Sequence, residues 1–293
     1  MAHDGHADAG LTVADLLDRA AAELAAAEIS ESRLKAETLL ARVVGCRRLE
    51  LPLSRDRVVE PARCAAFRGL LRRLLDGEPL QYILGDVEFM GTLFAVDRRV
   101  LIPRPETEEL VERVLRREEL WRCSAVRLGD VGTGSGCIAV SLALARPSAE
   151  IVATDAAEDA LELARDNAGR AGVADRIRFM RCDLLSALAA DSLQAVVSNP
   201  PYVATGEWLR LPREIRDFEP RAALDGGEDG LSVISRLVPE AFRALKSAGW
   251  LFMETGENQA PEVAAQMERQ DFRAVAVIKD LSGRDRIVEG EKP

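Results

Sequence analysis

The apolar positions of the first 77 residues recur every three or four places, the spacing that lines one face of a helix. A first helix is predicted from about Thr12 to Ile29. It is opened by the pair Thr12 and Asp15, whose hydroxyl and carboxylate can cap each other's free backbone N–H groups. A second, from about Ser32 to Val44, carries Leu34, Leu39, Leu40, Val43 and Val44 and stops at Gly45. A third begins at Pro61, ends at Gly77 and places Phe67, Leu70, Leu71, Leu74 and Leu75 on one stripe. The period then changes. Residues 81–96 predict two short strands around a turn at Met90-Gly91, and Leu-Ile-Pro-Arg-Pro-Glu-Thr-Glu at 101–108 leads into a further helix.

Beyond that point strand and helix patterns alternate. Strands are predicted at 125–131, 150–154, 176–180, 193–198, 249–255, 272–280 and 285–288, and helices at about 136–145, 157–171, 184–190, 231–246 and 258–270. Apolar strands separated by helices imply a parallel sheet covered on both faces. The last two strands stand too close for a parallel crossover, which needs about a dozen residues, so they are expected to pair antiparallel. The expected architecture is α/β with seven strands. An N-terminal helical bundle (1–77) and a β-hairpin linker (78–103) precede the α/β domain (104–293).

Composition narrows the chemistry. The 293 residues are 47% hydrophobic and 30% charged, enough apolar content for folded domains rather than disorder. The two histidines, His3 and His6, stand at the polar start of the chain. The five cysteines, at 46, 64, 123, 137 and 182, form no CxxC pair. Zinc sites and histidine-based triads have no material here. The scattered cysteines read as reduced thiols packed in the interior. No apolar run approaches the roughly 20 residues of a membrane span and no signal peptide opens the chain, so a cytoplasmic protein is expected. A net charge of −10 argues against a surface that grips nucleic acid throughout. Yet residues 42–73 hold nine arginines against Glu50, Asp56 and Glu60. Two readings of that stretch stand: a solvated helix face, or a docking surface for an acidic partner or RNA.

Three strand ends carry candidate chemistry. The first predicted strand of the α/β domain runs into Gly129-Asp-Val-Gly-Thr-Gly-Ser-Gly136, where Gly132, Gly134 and Gly136 allow a sharp turn and close approach of a ligand. Position 137 is cysteine, so the pattern is G-x-G-x-G rather than the dinucleotide G-x-G-x-x-G. Asp155 ends the second strand, where a carboxylate can accept both hydroxyls of a ribose. Asp183 and Leu184 follow the third, placed to meet an adenine amino group and ring, although Asp183 reads equally as a helix N-cap. The fourth strand ends in Asn199-Pro200-Pro201-Tyr202. The prolines remove two N–H donors and leave carbonyls free, Asn199 can match a planar amide, and Tyr202 offers a flat face for stacking.

Asp130-Val-Gly-Thr-Gly-Ser-Gly136 with Asp155 resembles the cofactor site of class I S-adenosylmethionine-dependent methyltransferases, and Asn-Pro-Pro-Tyr resembles their amino-methylating branch. Further segments are similar to the release factor glutamine methyltransferases of PrmC/HemK type. They are Glu78-Pro-Leu-Gln-Tyr82, the Gly85–Phe94 pattern, Val100–Glu108, Glu219–Gly230, Gly249–Gln259 and Asp280–Arg286. Leu184 departs from members that carry Trp there. The resemblance implies a seven-stranded Rossmann-like class I methyltransferase sheet. It implies S-adenosyl-L-methionine as cofactor, S-adenosyl-L-homocysteine as product, and N5-methylation of the glutamine in the Gly-Gly-Gln motif of class I peptide chain release factors.

On this reading Gly132, Thr133, Gly134, Ser135, Gly136, Asp155, Asp183, Leu184 and Asn199 hold the cofactor. Asn199, Pro200, Pro201 and Tyr202 carry the reaction, residues 101–108 close over the cofactor, and residues 219–230 are a cover or fold element. The partner is the release factor, with no membrane, no direct nucleic-acid contact and a monomeric chain. Asn199 Oδ1 and the Pro200 carbonyl would take the amide N–H groups and aim the nitrogen lone pair. A sulfonium methyl is already electrophilic, so no strong base is needed. Three alternatives remain at this point: an amino-methyltransferase acting on RNA or DNA, an NAD-dependent oxidoreductase, and a non-catalytic docking protein.

Overall fold

The computed structural model describes residues 10–122 and 126–293. His3, His6, Cys123 and the first residue of the strand expected at 125–131 lie outside the described residues. The chain divides into two compact units with a boundary after Gly85.

The first unit holds α1 (Val13–Ala26), α2 (Ser32–Val44), α3 (Pro61–Leu75) and the single turn α4 (Leu80–Leu84). The expected capping box is formed. Thr12 Oγ1 accepts from the Asp15 amide at 3.2 Å, and Asp15 Oδ2 accepts from the Thr12 amide at 2.9 Å. The first helix stops short of Ile29 because Glu28 takes a left-handed conformation (φ +57°) and the Ile29 N–H turns back to the Leu24 carbonyl at 3.0 Å. Leu24, Leu39, Leu40 and Phe67 are fully buried where the helical stripes meet.

Residues 81–84, expected as the start of a strand, are helical instead. Pro79 opens the turn, Gly85 closes it with an N–H to the Gln81 carbonyl at 2.8 Å, and Ile83 packs into the helical core. Four residues are too few for a period to decide between strand and helix.

The second unit opens with a hairpin, β1 (Asp86–Phe89) and β2 (Thr92–Ala95). Both turn residues, Met90 (φ +50°) and Gly91 (φ +71°), are left-handed, matching the twist a two-residue hairpin needs. After α5 (Pro105–Leu115) come β3 (Val126–Val131), α6 (Cys137–Ala145), β4 (Ala149–Asp155), α7 (Glu158–Arg170), β5 (Ile177–Arg181) and β6 (Leu193–Ser198). Then follow α8 (Arg213–Arg216), α9 (Ser232–Ala244), β7 (Leu245–Glu254), α10 (Ala260–Arg269), β8 (Arg273–Lys279) and β9 (Asp285–Glu291).

The seven strands β3–β9 form one sheet in the order β5-β4-β3-β6-β7-β9-β8, parallel from β5 to β7. β9 inserts between β7 and β8 and runs antiparallel to both, so the antiparallel end expected from the chain is present. Leu110, Ile138 and Leu142 cover one face with Phe252 and Ile151, while Ile234, Leu237 and Val263 cover the other with Leu251 and Met253. This is the seven-stranded sheet that the sequence resemblance implies. Strand order reverses between β3 and β6, and the crevice for a ligand lies at the carboxyl ends of those strands.

The helix expected at 184–190 is absent. Leu184 is left-handed (φ +49°), and the chain proceeds through turns, with Ser186 N–H on the Asp183 carbonyl at 3.1 Å and Leu188 N–H on that of Leu185 at 3.0 Å. Side chains of α9 bond the backbone of these turns. Glu240 accepts from the Leu185 amide at 3.0 Å, and Arg243 donates to the Leu185 and Leu188 carbonyls at 2.8 and 2.7 Å. Asp183 therefore caps no helix. Of the thiols, Cys64 and Cys137 are buried, whereas Cys46 and Cys182 are half-buried, since each follows the last residues of an element near the surface.

Candidate active site

Two stretches meet at the strand-order reversal. Val131 and Ser198 are register partners in the paired strands β3 and β6, and Ser198 Oγ donates to the Val131 carbonyl at 2.8 Å. Gly132 and Asn199, the next residue of each strand, therefore leave the sheet side by side.

The glycine loop is made mostly of backbone. Gly132, Gly134 and Gly136 all have positive φ (+71°, +53° and +80°), and the Gly132 and Thr133 amides both bond the Thr154 carbonyl at 2.9 Å. A Cβ added at Gly132 would meet nothing within 4 Å, so the loop faces open space there. At Gly136 it would meet Ala164 Cβ at 3.1 Å, so this glycine serves packing against α7. Asp155 holds the loop from the end of β4, its Oδ2 accepting from the Gly134 amide at 3.0 Å and its Oδ1 from the Ala157 amide at 2.9 Å.

Asp130 lies beneath, fully buried, with Oδ2 accepting from Thr133 Oγ1 (2.6 Å) and the Ala139 amide (3.1 Å). Its Oδ1 has no partner among the described residues. Burial pushes the Asp130 carboxyl up to about 7, against the lowering influence of those two hydrogen bonds.

Sequence reasoning missed Asn167 on α7. Its amide donates to the Ser135 carbonyl (2.9 Å) and exchanges two hydrogen bonds with the backbone of Ala95, fastening the hairpin to the glycine loop.

The Asn-Pro-Pro-Tyr turn is held by side chains instead. Asn199 Nδ2 donates to Thr107 Oγ1 at 3.0 Å, Thr107 Oγ1 donates to Glu254 Oε2 at 2.7 Å, and the Tyr202 hydroxyl donates to Glu254 Oε1 at 3.2 Å. Thr107 and Glu254 are 2% and 1% exposed, so this chain of bonds is interior. Burial pushes the Glu254 carboxyl up to about 7, opposed by the Thr107 hydrogen bond and the Arg286 charge. Burial, then the neighbouring Glu254 charge, pushes the Tyr202 phenol well above its ordinary range. Among the described residues, neither Asn199 Oδ1 nor the Pro200 carbonyl accepts a hydrogen bond. Asn199 is half-buried and Pro200 buried.

Two further connections frame the turn. Gln259 Nε2 donates to the Tyr202 carbonyl at 2.9 Å, while its Oε1 accepts from the Gly256 amide at 3.0 Å. The 219–230 segment is paired to the chain after Tyr202 through Val203 N–H to Leu224 (2.8 Å), Gly226 N–H to Val203 (2.8 Å) and Thr205 N–H to Gly227 (2.8 Å). A Cβ at Gly230 would fall 2.4 Å from the Tyr202 carbonyl, which explains the glycine there. Buried Glu219 accepts from the Ile102 amide at 3.1 Å and from the Arg104 guanidinium, tying residues 102–104 to the same segment.

Thr107 and Glu254 were not among the predicted site residues, although both lie within motifs read from the chain. The available signal was a lone carboxylate closing the apolar run Trp250-Leu-Phe-Met-Glu254. Asp183 follows β5 but is exposed, its carboxylate paired with Arg236. Leu184 packs against the apolar cluster formed by β6, β7 and α9.

An open glycine loop with an adjoining carboxylate suits a nucleoside-bearing ligand, and a buried acidic oxygen with no partner among the described residues lies beneath it. Among the described residues no group of three histidine, cysteine or acidic side chains is placed to hold a metal ion, and no helix is long and apolar enough to cross a membrane.

Comparisons with known proteins show what the chain is similar to. Residues 15–85 match the family described as PrmC N-terminal domain, and residues 110–211 match the methyltransferase small domain. The chain is 43% identical over 280 residues to the release factor glutamine methyltransferase of Nitratidesulfovibrio vulgaris, covering 94% of each chain. It is 40% identical to that of Geobacter sulfurreducens, covering 95% of this chain and 96% of the relative. A solved methyltransferase from Pyrococcus furiosus shares the fold at 17% identity and a TM-score of 0.51, over 70% of this chain and 90% of that one.

Proposed function

The chain belongs to the release factor glutamine methyltransferase family, and on that premise we propose that it methylates N5 of the glutamine in the Gly-Gly-Gln motif of class I release factors, with S-adenosyl-L-methionine as donor. The observation that carries this reading is the pair of unused acceptors, Asn199 Oδ1 and the Pro200 carbonyl, presented at the end of β6 beside the glycine loop.

A primary amide nitrogen is a poor nucleophile because its lone pair is delocalised into the carbonyl. Each of its two N–H groups can be taken by one of those acceptors, which turns the nitrogen toward the turn, fixes the plane of the amide and presents one face of the nitrogen to the donor. Pro201 keeps the turn rigid by fixing φ. The ring of Tyr202, held at its hydroxyl by Glu254, packs on the glutamine side chain. When bound, S-adenosyl-L-methionine would supply a methyl group on a positively charged sulfur, already reactive toward nitrogen, and the methylated nitrogen would release one N–H proton to solvent.

Gly132, Thr133, Gly134, Ser135 and Gly136 form the backbone cradle for the donor. Asp155 keeps carboxylate lone pairs for ribose hydroxyls beyond its two loop bonds. Asp183 and Leu184 offer a carboxylate and an apolar surface for the base. The unpartnered Asp130 oxygen lies beneath the loop that would hold the cationic donor. S-adenosyl-L-homocysteine is the product expected in the same cradle.

Labelled donor offered separately to release factor, bulk RNA and DNA tests the assignment. Label is expected on the release factor; incorporation into nucleic acid alone would overturn it. Calorimetry should detect S-adenosyl-L-homocysteine binding and no binding of NAD, the outcome that separates methyl transfer from hydride transfer.

A further inference from the structure

Asn199 serves a primary amide only with its oxygen turned toward it. An asparagine amide has almost the same shape either way round, so some neighbour must choose. Thr107 is the group the Asn199 amide touches inside the protein, at 3.0 Å, and a threonine hydroxyl has a single proton to give. That proton goes to Glu254 Oε2, 2.7 Å away, because an ionised carboxylate only accepts. The Thr107 oxygen is then left with lone pairs alone toward Asn199. Only the NH2 end of the amide can bond it, and the carbonyl oxygen must face outward.

We infer that Glu254, acting through Thr107, is the positioning residue that sets the Asn199 amide with its oxygen toward the substrate, and that it holds the Tyr202 ring through the same carboxylate. The inference deepens the reading of Asn199 as acceptor for the glutamine amide and rests on it. Three separate elements contribute: Thr107 from α5, Asn199 and Tyr202 from the turn after β6, and Glu254 from the end of β7. The arrangement is therefore set by tertiary packing and not by the turn itself.

The groups facing Glu254 divide in their effect. Arg286 on β9 and the hydrogen bonds from Thr107 and Tyr202 favour its charged form, while burial and Glu106 on α5 oppose it. A proton on Glu254 turns it into a donor to Thr107. The Thr107 proton is then free to point at Asn199, and the amide oxygen turns inward. The productive orientation accordingly belongs to the deprotonated carboxylate.

The test uses the full-length protein, release factor and saturating donor, with kcat, KM for release factor, S-adenosyl-L-homocysteine affinity and melting temperature measured for Thr107→Val, Thr107→Ser, Glu254→Gln and Asn199→Ala. Thr107→Val keeps the shape of the side chain and removes the hydroxyl. It and Glu254→Gln should each lower kcat by ~10–100-fold, the scale of a misplaced reacting group, with unchanged affinity for S-adenosyl-L-homocysteine. Thr107→Ser should restore most of the rate. The kcat of the unaltered protein should rise with pH through about 7, the value to which burial lifts Glu254, and this rise should vanish in Glu254→Gln. Full kcat in Thr107→Val, or an acid limb that persists in Glu254→Gln, overturns the inference. Undiminished transfer by Asn199→Ala refutes the underlying reading itself. Loss in Asn199→Ala beside normal Thr107→Val and Glu254→Gln refutes only the positioning chain.

Discussion

The glycine loop after β3 and the Asn-Pro-Pro-Tyr turn after β6 leave the sheet side by side, yet they are built on opposite plans. The loop presents mostly backbone, and glycines at positive φ together with a carboxylate 21 residues away hold it. The turn presents side chains, and they are held by Thr107, 92 residues from Asn199, and by Glu254, 147 residues from Thr107. A binding cradle can be encoded locally because its geometry is a property of the chain. An aimed amide depends on partners that only the finished fold brings in.

The largest effect should fall on the turn. Asn199→Ala removes an acceptor that no neighbour can replace, and kcat for methyl transfer should drop by ~10²–10³-fold, the cost of losing one directing hydrogen bond in an enzyme site. Binding of S-adenosyl-L-homocysteine by calorimetry should change far less. An equal loss of both would mean that the two regions do not divide the work as their construction suggests.

The loop should respond in the opposite sense. Gly136→Ala places a Cβ 3.1 Å from Ala164 Cβ at φ +80° and should cost about 1–3 kcal/mol of stability, read by urea unfolding. Affinity for S-adenosyl-L-homocysteine should weaken in parallel, with kcat at saturating donor nearly intact.

A smaller effect belongs to pH. The carboxyls of Asp130 and Glu254 are both lifted to about 7 by burial, from about 4 in the unfolded chain. Between these values the folded protein binds more protons than the unfolded one, so the stability each contributes is full below about 4 and is lost as pH rises through about 7. Unfolding free energy of the ligand-free protein should therefore fall over that range. Asp130→Asn should flatten part of the fall, and an unchanged slope would show that Asp130 titrates normally.

The smallest effect concerns the arginines of the first unit. Arg73 is committed to Glu78 by two hydrogen bonds of 2.7 Å, whereas Arg72 is exposed on the same helix. If this face docks the release factor, Arg72→Glu should raise KM by a few-fold at low salt, the scale of one exposed ion pair, with donor affinity unchanged. No change in KM assigns the stretch to a solvated face.

These two regions also mark how far the sequence can be read. The capping box at Thr12, the glycines of the loop, Asp155 at its strand end and the antiparallel finish at β9 are all visible because each is set by neighbours along the chain or by strand spacing. The segments at 81–84 and 184–190 were not. In the first, four residues cannot show a period. In the second, Glu240 and Arg243 on α9 hold the backbone in turns, and those partners stand 55 or more residues away in the chain. Thr107, Asn167 and Glu254 escaped for a related reason. Their residue types are ordinary, and only their partners, Ala95 72 residues from Asn167 and Glu254 147 residues from Thr107 among them, give them a role.

The central claim is methyl transfer to one glutamine side chain. Mass spectrometry of release factor after incubation with the protein and S-adenosyl-L-methionine tests it most directly, with fragmentation of the peptide that contains Gly-Gly-Gln. A single added methyl group is expected on that glutamine, absent when Asn199→Ala is used. An unmodified peptide under saturating donor, or a methyl group on another residue, would contradict it.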